Sequence, residues 1–118
     1  MGFTKMKLPN AENAFIDVRK LRDYSLSDSH PVGKHKARVF RSALGLTDAD
    51  WDRLRVMILE AAVASEAELG RTDEYGTRYQ LDFSASTNEG TATIRTAWIV
   101  RNETEPPRLL SCYVLARG

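Results

Sequence analysis

Lys34, His35, Lys36 and Arg38 crowd into one run, His30-Pro-Val-Gly-Lys-His-Lys-Ala-Arg38, and here the sequence has the residue types for chemistry on an anion. The spacing places the four side chains in the first turns of a helix that starts after Gly33. A helix N-terminus exposes unpaired N–H groups and favours negative charge. Four basic side chains there oppose the helix dipole, and a bound phosphate would relieve the conflict. A solvated charged face whose stems cover apolar surface explains the run equally well. Histidine exchanges a proton near neutral pH, which makes His35 the candidate general acid or base. His30 precedes Pro31 and reads as a loop residue making a local hydrogen bond. No carboxylate lies within the run, which argues against a metal held by the two histidines.

A second group lies in the C-terminal half. Alternation in Thr93-Ile-Arg-Thr-Ala-Trp-Ile-Val100 puts Thr93, Arg95, Ala97 and Ile99 on one face of a strand. An arginine amid apolar residues is costly unless it is paired or serves a functional face. A salt bridge to Asp82 on a neighbouring strand and a role in binding are both open. Ser111 and Tyr113 share a face of the following strand and could set hydroxyls beside Arg95. The single cysteine, Cys112, rules out an intrachain disulfide and reads as a small core residue. Asp73-Glu-Tyr-Gly76 is a polar cluster that a turn alone would explain. Walker, dinucleotide-binding, serine-hydrolase and zinc patterns are absent from the sequence, so no cofactor is expected.

These residues need elements to hold them. Asp17–Leu26 is a short helix with Asp17 as N-cap. A loop over 27–33 leads to a second helix over about Lys34–Leu44, ended by Gly45 in the left-handed conformation. Thr47-Asp-Ala-Asp50 resembles a capping box, and a third helix follows over about Asp48–Ser65, with Trp51, Leu54, Ile58 and Ala61 on one face. Glu66–Thr77 is polar and reads as a connection. From there the apolar period becomes two. Strands are expected around Tyr79–Phe83, over Thr91–Arg101 and over Arg108–Leu115, the last apolar on both faces as in an interior strand. Residues 1–14 lack periodicity and read as an irregular lead-in.

The order of elements implies one α+β domain over residues 1–118, with three N-terminal helices packed on one face of a small three- to four-stranded antiparallel sheet. At 118 residues, 42 % apolar and 28 % charged, the chain suits one such core. No apolar stretch has the roughly 20 residues of a membrane span, and no secretory signal is visible, so a cytoplasmic location away from membranes is the default. Net charge is +1, but residues 1–55 hold 11 Lys and Arg against 7 Asp and Glu, and residues 56–118 hold 6 against 9. The helical half is mildly basic, which permits a phosphate-binding face.

The segments Leu8-Pro-Asn-Ala11, His30–Phe40, Ala43-Leu-Gly45, Asp73-Glu-Tyr-Gly76, Ile94–Val100 and Pro107–Val114 resemble a bacterial family of domains of unknown function, number 6883, over nearly the whole chain. Fainter is a likeness to toxin ribonucleases of the barnase, EndoU, colicin and RelE group. It rests on a helix with Lys-His, a strand like Arg-Thr-x-Trp-Ile and a strand like Pro-Arg-Leu-x-Thr-x-Tyr. That likeness implies a metal-independent endoribonuclease in which the RNA 2′-OH attacks the adjacent phosphate. It would make His35 the acid/base, give Arg95 and Ser111 catalytic places, and leave Lys34, Lys36, Arg38 and Tyr113 to hold RNA. Ser111 stands where the pattern has threonine, and a second acid/base partner is missing. The implied partners are RNA, including tRNA, and a cognate immunity or antitoxin-like protein. The competing expectation is a non-catalytic protein- or nucleic-acid-binding module that works with the product of an adjacent gene.

Overall fold

The computed structural model describes residues 5–117, so the first four residues of the expected lead-in lie outside the described residues. The remainder of that lead-in is structured. Strand β1 (Lys5–Lys7) is followed by a 3-10 turn at Ala11–Asn13. Helix α1 (Val18–Lys20) starts where expected, with the Asp17 carboxylate accepting from the Arg19 N–H. It then widens into a π turn over Leu21–Ser25, closed by the Leu26 N–H donating to the Leu21 carbonyl. Helix α2 (Lys34–Leu44) ends at Gly45, whose φ of 68° is the left-handed conformation that glycine adopts without penalty. Thr47 and Asp50 form a reciprocal capping box, and one 3-10 turn later helix α3 (Trp51–Ala64) begins.

Four strands follow: β2 (Glu66–Asp73), β3 (Gly76–Thr87), β4 (Gly90–Val100) and β5 (Arg108–Arg117). With β1 they make a five-stranded antiparallel sheet in the order β1-β2-β3-β4-β5. The expectation of three to four strands is corrected to five. The strand missed was chiefly β2. Within Glu66–Asp73 only Ala67 is buried, so no apolar alternation marks it. Pairing with β1 on one side and β3 on the other holds it instead. Opposite charges face each other across the first of these pairs, Lys5 with Glu68 and Lys7 with Glu66.

The helices lie on one face of the sheet. Ile94, Thr96 and Trp98 point to them from β4 and are fully buried with Leu81, Leu109, Phe40, Leu54 and Ile58. The buried polar groups satisfy one another: Trp98 Nε1–H donates to Thr96 Oγ1 at 2.8 Å, and Thr96 Oγ1–H donates to the Leu81 carbonyl at 2.7 Å. The alternate residues of β3, β4 and β5 form the opposite face.

β5 is an edge strand, not the interior strand its composition implies. Two register shifts explain the composition. Leu110 and Leu115 fall between paired positions and stand 38 % and 41 % exposed, while Leu109 and Cys112 face the core. The outer side of β5 is covered by the chain itself. The Phe15 N–H donates to the Pro107 carbonyl, the Leu109 N–H donates to the Phe15 carbonyl, and the Ser25 hydroxyl donates to the Cys112 carbonyl.

Candidate functional site

The edge of β5 is where chemistry-bearing residues meet. A cleft of about 500 Å³ opens between the α1–π turn segment, α2 and β5, lined by Asp17, Arg19, Lys20, Tyr24, Ser25, Lys36, Leu110 and Ser111. The π turn supplies Tyr24 and Ser25. Such wide turns often sit at functional sites. Lys36 comes from the flank of α2 next to the buried stripe of Ala37, Phe40 and Leu44.

The Lys36 ammonium lies 4.8 Å from the Tyr24 ring centroid and 5.7 Å from that of Tyr113, placing one cation over two aromatic faces. The His30 ring makes a T-shaped contact with Tyr24, with centroids 4.7 Å apart and planes at 80°. On the outer face of the sheet Tyr113 pairs with Arg95 across the β4–β5 ladder. Arg95 in turn donates two hydrogen bonds to Asp82, at 2.9 and 3.0 Å. The carboxylate, then the Tyr113 oxygen, hold the Arg95 guanidinium firmly charged. Neighbouring residues thus run from His30 through Tyr24, Lys36, Tyr113 and Arg95 to Asp82, crossing from the helical side to the outer face of the sheet.

Four of the seven residues singled out in the sequence come together in this way: Lys36, Arg95, Ser111 and Tyr113. The other three do not join them. Lys34, His35 and Arg38 are exposed. Lys34 and Arg38 lie on the far flank of α2, where they line a smaller cleft with Asp28, Arg41 and Thr47. His35 points to solvent from a helix packed on the core face, while Arg95 occupies the opposite face of the sheet. The convergence of His35 with Arg95 and Ser111 on one concave face is therefore not found.

The other sequence expectations resolve locally. The His30 Nδ1 accepts the Val32 N–H at 3.0 Å and the Gly33 N–H at 2.9 Å, so it serves the loop. Cys112 is fully buried, and burial pushes its thiol up to about 11, which leaves it a poor nucleophile. Asp73 caps its own turn by accepting the Tyr75 N–H and pairs with Arg78. Among the described residues no cluster of three metal-ligating side chains occurs, and no helix is long and apolar enough to cross a membrane.

Arg19, Lys20, Tyr24 and Ser25 were missed as site residues. Their signal was a basic pair, Arg19-Lys20, with an aromatic four to five residues on, inside a segment read only as a helix. Charge in the cleft is unequal. The Arg19 guanidinium is taken by Asp17, whose carboxyl it holds far below the usual range. Lys20 and Lys36 make no ion pair among the described residues, and the Ser111 hydroxyl has no hydrogen-bond partner there either.

Fold and site together define a class: an antiparallel five-stranded sheet backed by helices on one face, with a basic, tyrosine-bearing cleft at its C-terminal edge strand. Residues 7–116 match the family model described as Domain of unknown function (DUF6883), and the chain belongs to that family. No curated protein and no solved structure matches. The fainter likeness to toxin ribonucleases therefore gains no support from relatives.

Proposed function

We propose that this domain is a non-catalytic binder of RNA that holds the phosphate backbone in the cleft beside β5. The observation that carries the reading is the convergence of two unpaired amines, Lys20 and Lys36, on a cleft that also presents the Ser111 hydroxyl. Lysine amines neutralise phosphates, and hydroxyls add hydrogen bonds that position the backbone. A binder requires no acid/base pair, and His35, the expected proton carrier, stands away from the cleft.

A second reading, metal-independent cleavage, draws on Lys36, Ser111 and Tyr113 meeting at one strand edge. In it the RNA 2′-OH gives its proton to water and attacks the neighbouring phosphorus, the 5′-oxygen leaves and takes a proton from water, and Lys36 offsets the charge that builds on the phosphorane. The expectation of an immunity-like partner belongs with this reading alone.

One experiment separates them. Total RNA and tRNA are incubated with the protein in EDTA at low salt, and both retention and integrity are followed. The binder retains intact RNA, and Lys36→Met weakens retention about tenfold while His35→Ala changes it little. Cleavage that disappears in Lys36→Met and Tyr113→Phe would establish the second reading in place of the first. Absence of both retention and cleavage rejects both.

A further inference from the structure

We infer that the cleft reads the phosphate backbone and is blind to the bases, because Lys36 already sits over Tyr24 and Tyr113, the rings on which a base would stack. The inference rests on the RNA-binding reading and narrows it to a ligand class: any flexible phosphodiester strand, whatever its sequence.

Proteins that hold single strands commonly combine a basic groove with aromatic side chains on which bases stack, and that stacking is what gives tight binding and mild base preference. The present cleft has both residue types, so stacking is the obvious guess. The geometry speaks against it. One ammonium lies 4.8 Å from the Tyr24 centroid and 5.7 Å from the Tyr113 centroid. The His30 ring also packs against Tyr24 in a T-shaped contact. Tyr113 also stands directly opposite Arg95 in the ladder, and Asp82 fixes that arginine from the other side.

A base stacking on the ring faces that Lys36 covers would displace the amine and so remove a main cationic contact for the adjoining phosphate. The two modes of binding exclude each other at this site. The tyrosines instead act as positioning residues: they aim the Lys36 ammonium and keep it at the cleft. Leu110 and the Ser111 hydroxyl complete the wall, and a single hydroxyl does not distinguish one base edge from another.

The test uses three single-stranded 12-mers of equal length: oligoadenylate, oligouridylate and an abasic ribose-phosphate strand. Binding is followed by fluorescence anisotropy at several salt concentrations. The expected result is three affinities within about threefold of one another, since one stacked base would separate them by roughly 5- to 150-fold. The salt slope should be near −1.4, the value for two neutralised phosphates on a single strand, and should drop by about 0.7 in Lys36→Met. Tyr24→Leu should weaken all three strands alike, because its role is to hold Lys36; circular dichroism confirms that this variant is folded. A tenfold or greater advantage of the base-bearing strands over the abasic strand, or a Tyr24→Leu loss confined to them, overturns the inference while RNA binding stands. Failure of all three strands to bind overturns the RNA-binding reading and the inference with it.

Discussion

His30 shows how a side chain with catalytic potential can be consumed by local structure. Its Nδ1 accepts two backbone N–H groups, from Val32 and Gly33, which fixes the remaining proton on Nε2. The loop over residues 27–33 has no regular ladder, so these two bonds shape the approach to α2. His30→Ala should lower stability by about 1 kcal/mol, the usual cost of losing a helix-entry acceptor. His30→Asn puts an amide oxygen near the Nδ1 position and should recover most of that loss. Urea denaturation of both variants checks the assignment. Equal destabilisation by both would mean that contact with Tyr24, and not hydrogen bonding, is the part that matters. His35, five residues on, follows another logic. The sequence grouped Lys34, His35, Lys36 and Arg38 by proximity, but successive helical residues turn by about 100°. Which of them meets the sheet depends on where Ala37, Phe40 and Leu44 bury, and that selects Lys36. Strand alternation is less ambiguous. It put Arg95 on one face and Ser111 with Tyr113 on another strand's face, and the ladder pairs Arg95 directly with Tyr113.

At the scale of elements, the starts and stops written in local chemistry were legible, and those set by tertiary pairing were not. Asp17, Gly45 and the Thr47–Asp50 box each end or begin a helix through side-chain or backbone preferences a few residues long. β2 and the π turn have no such signal. The capping box also gives α3 a pH dependence. The Thr47 N–H, foremost, and the Thr47 hydroxyl hold the Asp50 carboxyl below its ordinary value of 3.8. A carboxyl depressed on folding stabilises the native state fully above roughly pH 5, and that contribution is lost as the pH falls through the lowered native value. Asp50→Ala should therefore cost about 1 kcal/mol at pH 7, as cap removals do, and the gap to wild type should narrow towards pH 2. Thermal melts across this range test the sign; a gap that widens in acid refutes it. Gly33 governs a different junction. Its φ of −62° suits any residue, but a β-carbon there would overlap the Tyr24 carbonyl oxygen. Gly33→Ala should destabilise by roughly 1–3 kcal/mol, the range for overpacking. It should also shift Tyr24 and with it the Lys36 ammonium, so RNA retention falls even at temperatures where the variant stays folded.

Across the whole molecule the polar residues sort by face. The α2 flank away from β5 carries Lys34, Arg38 and Arg41, with Arg41 paired to Asp28. The bare sheet face carries Arg78 bound to Asp73 and Arg95 bound to Asp82. Most of these charges are balanced where they stand, and exposed pairs of this kind contribute little to stability. Lys34 and Arg38, like Lys20 and Lys36, make no ion pair among the described residues, and what sets the β5 edge apart is placement: Lys36 is held over Tyr24 and Tyr113 and shares one cleft with Lys20 and the Ser111 hydroxyl. Net charge alone, at +1, gives no reason for a polyanion to choose one side of the molecule. Placement of the amines in one cleft does, and its reach is short, because the Debye length at physiological salt is about 8 Å. Neutralising the far flank with Lys34→Gln and Arg38→Gln should thus change RNA affinity less than about twofold at that salt, whereas Lys20→Gln with Lys36→Gln should weaken it more than tenfold. Both double variants lower the net charge by the same amount, so total charge cannot explain a difference between them. Equal losses would place RNA on α2 as a whole or make its binding a matter of overall charge, and the β5 cleft would lose its claim.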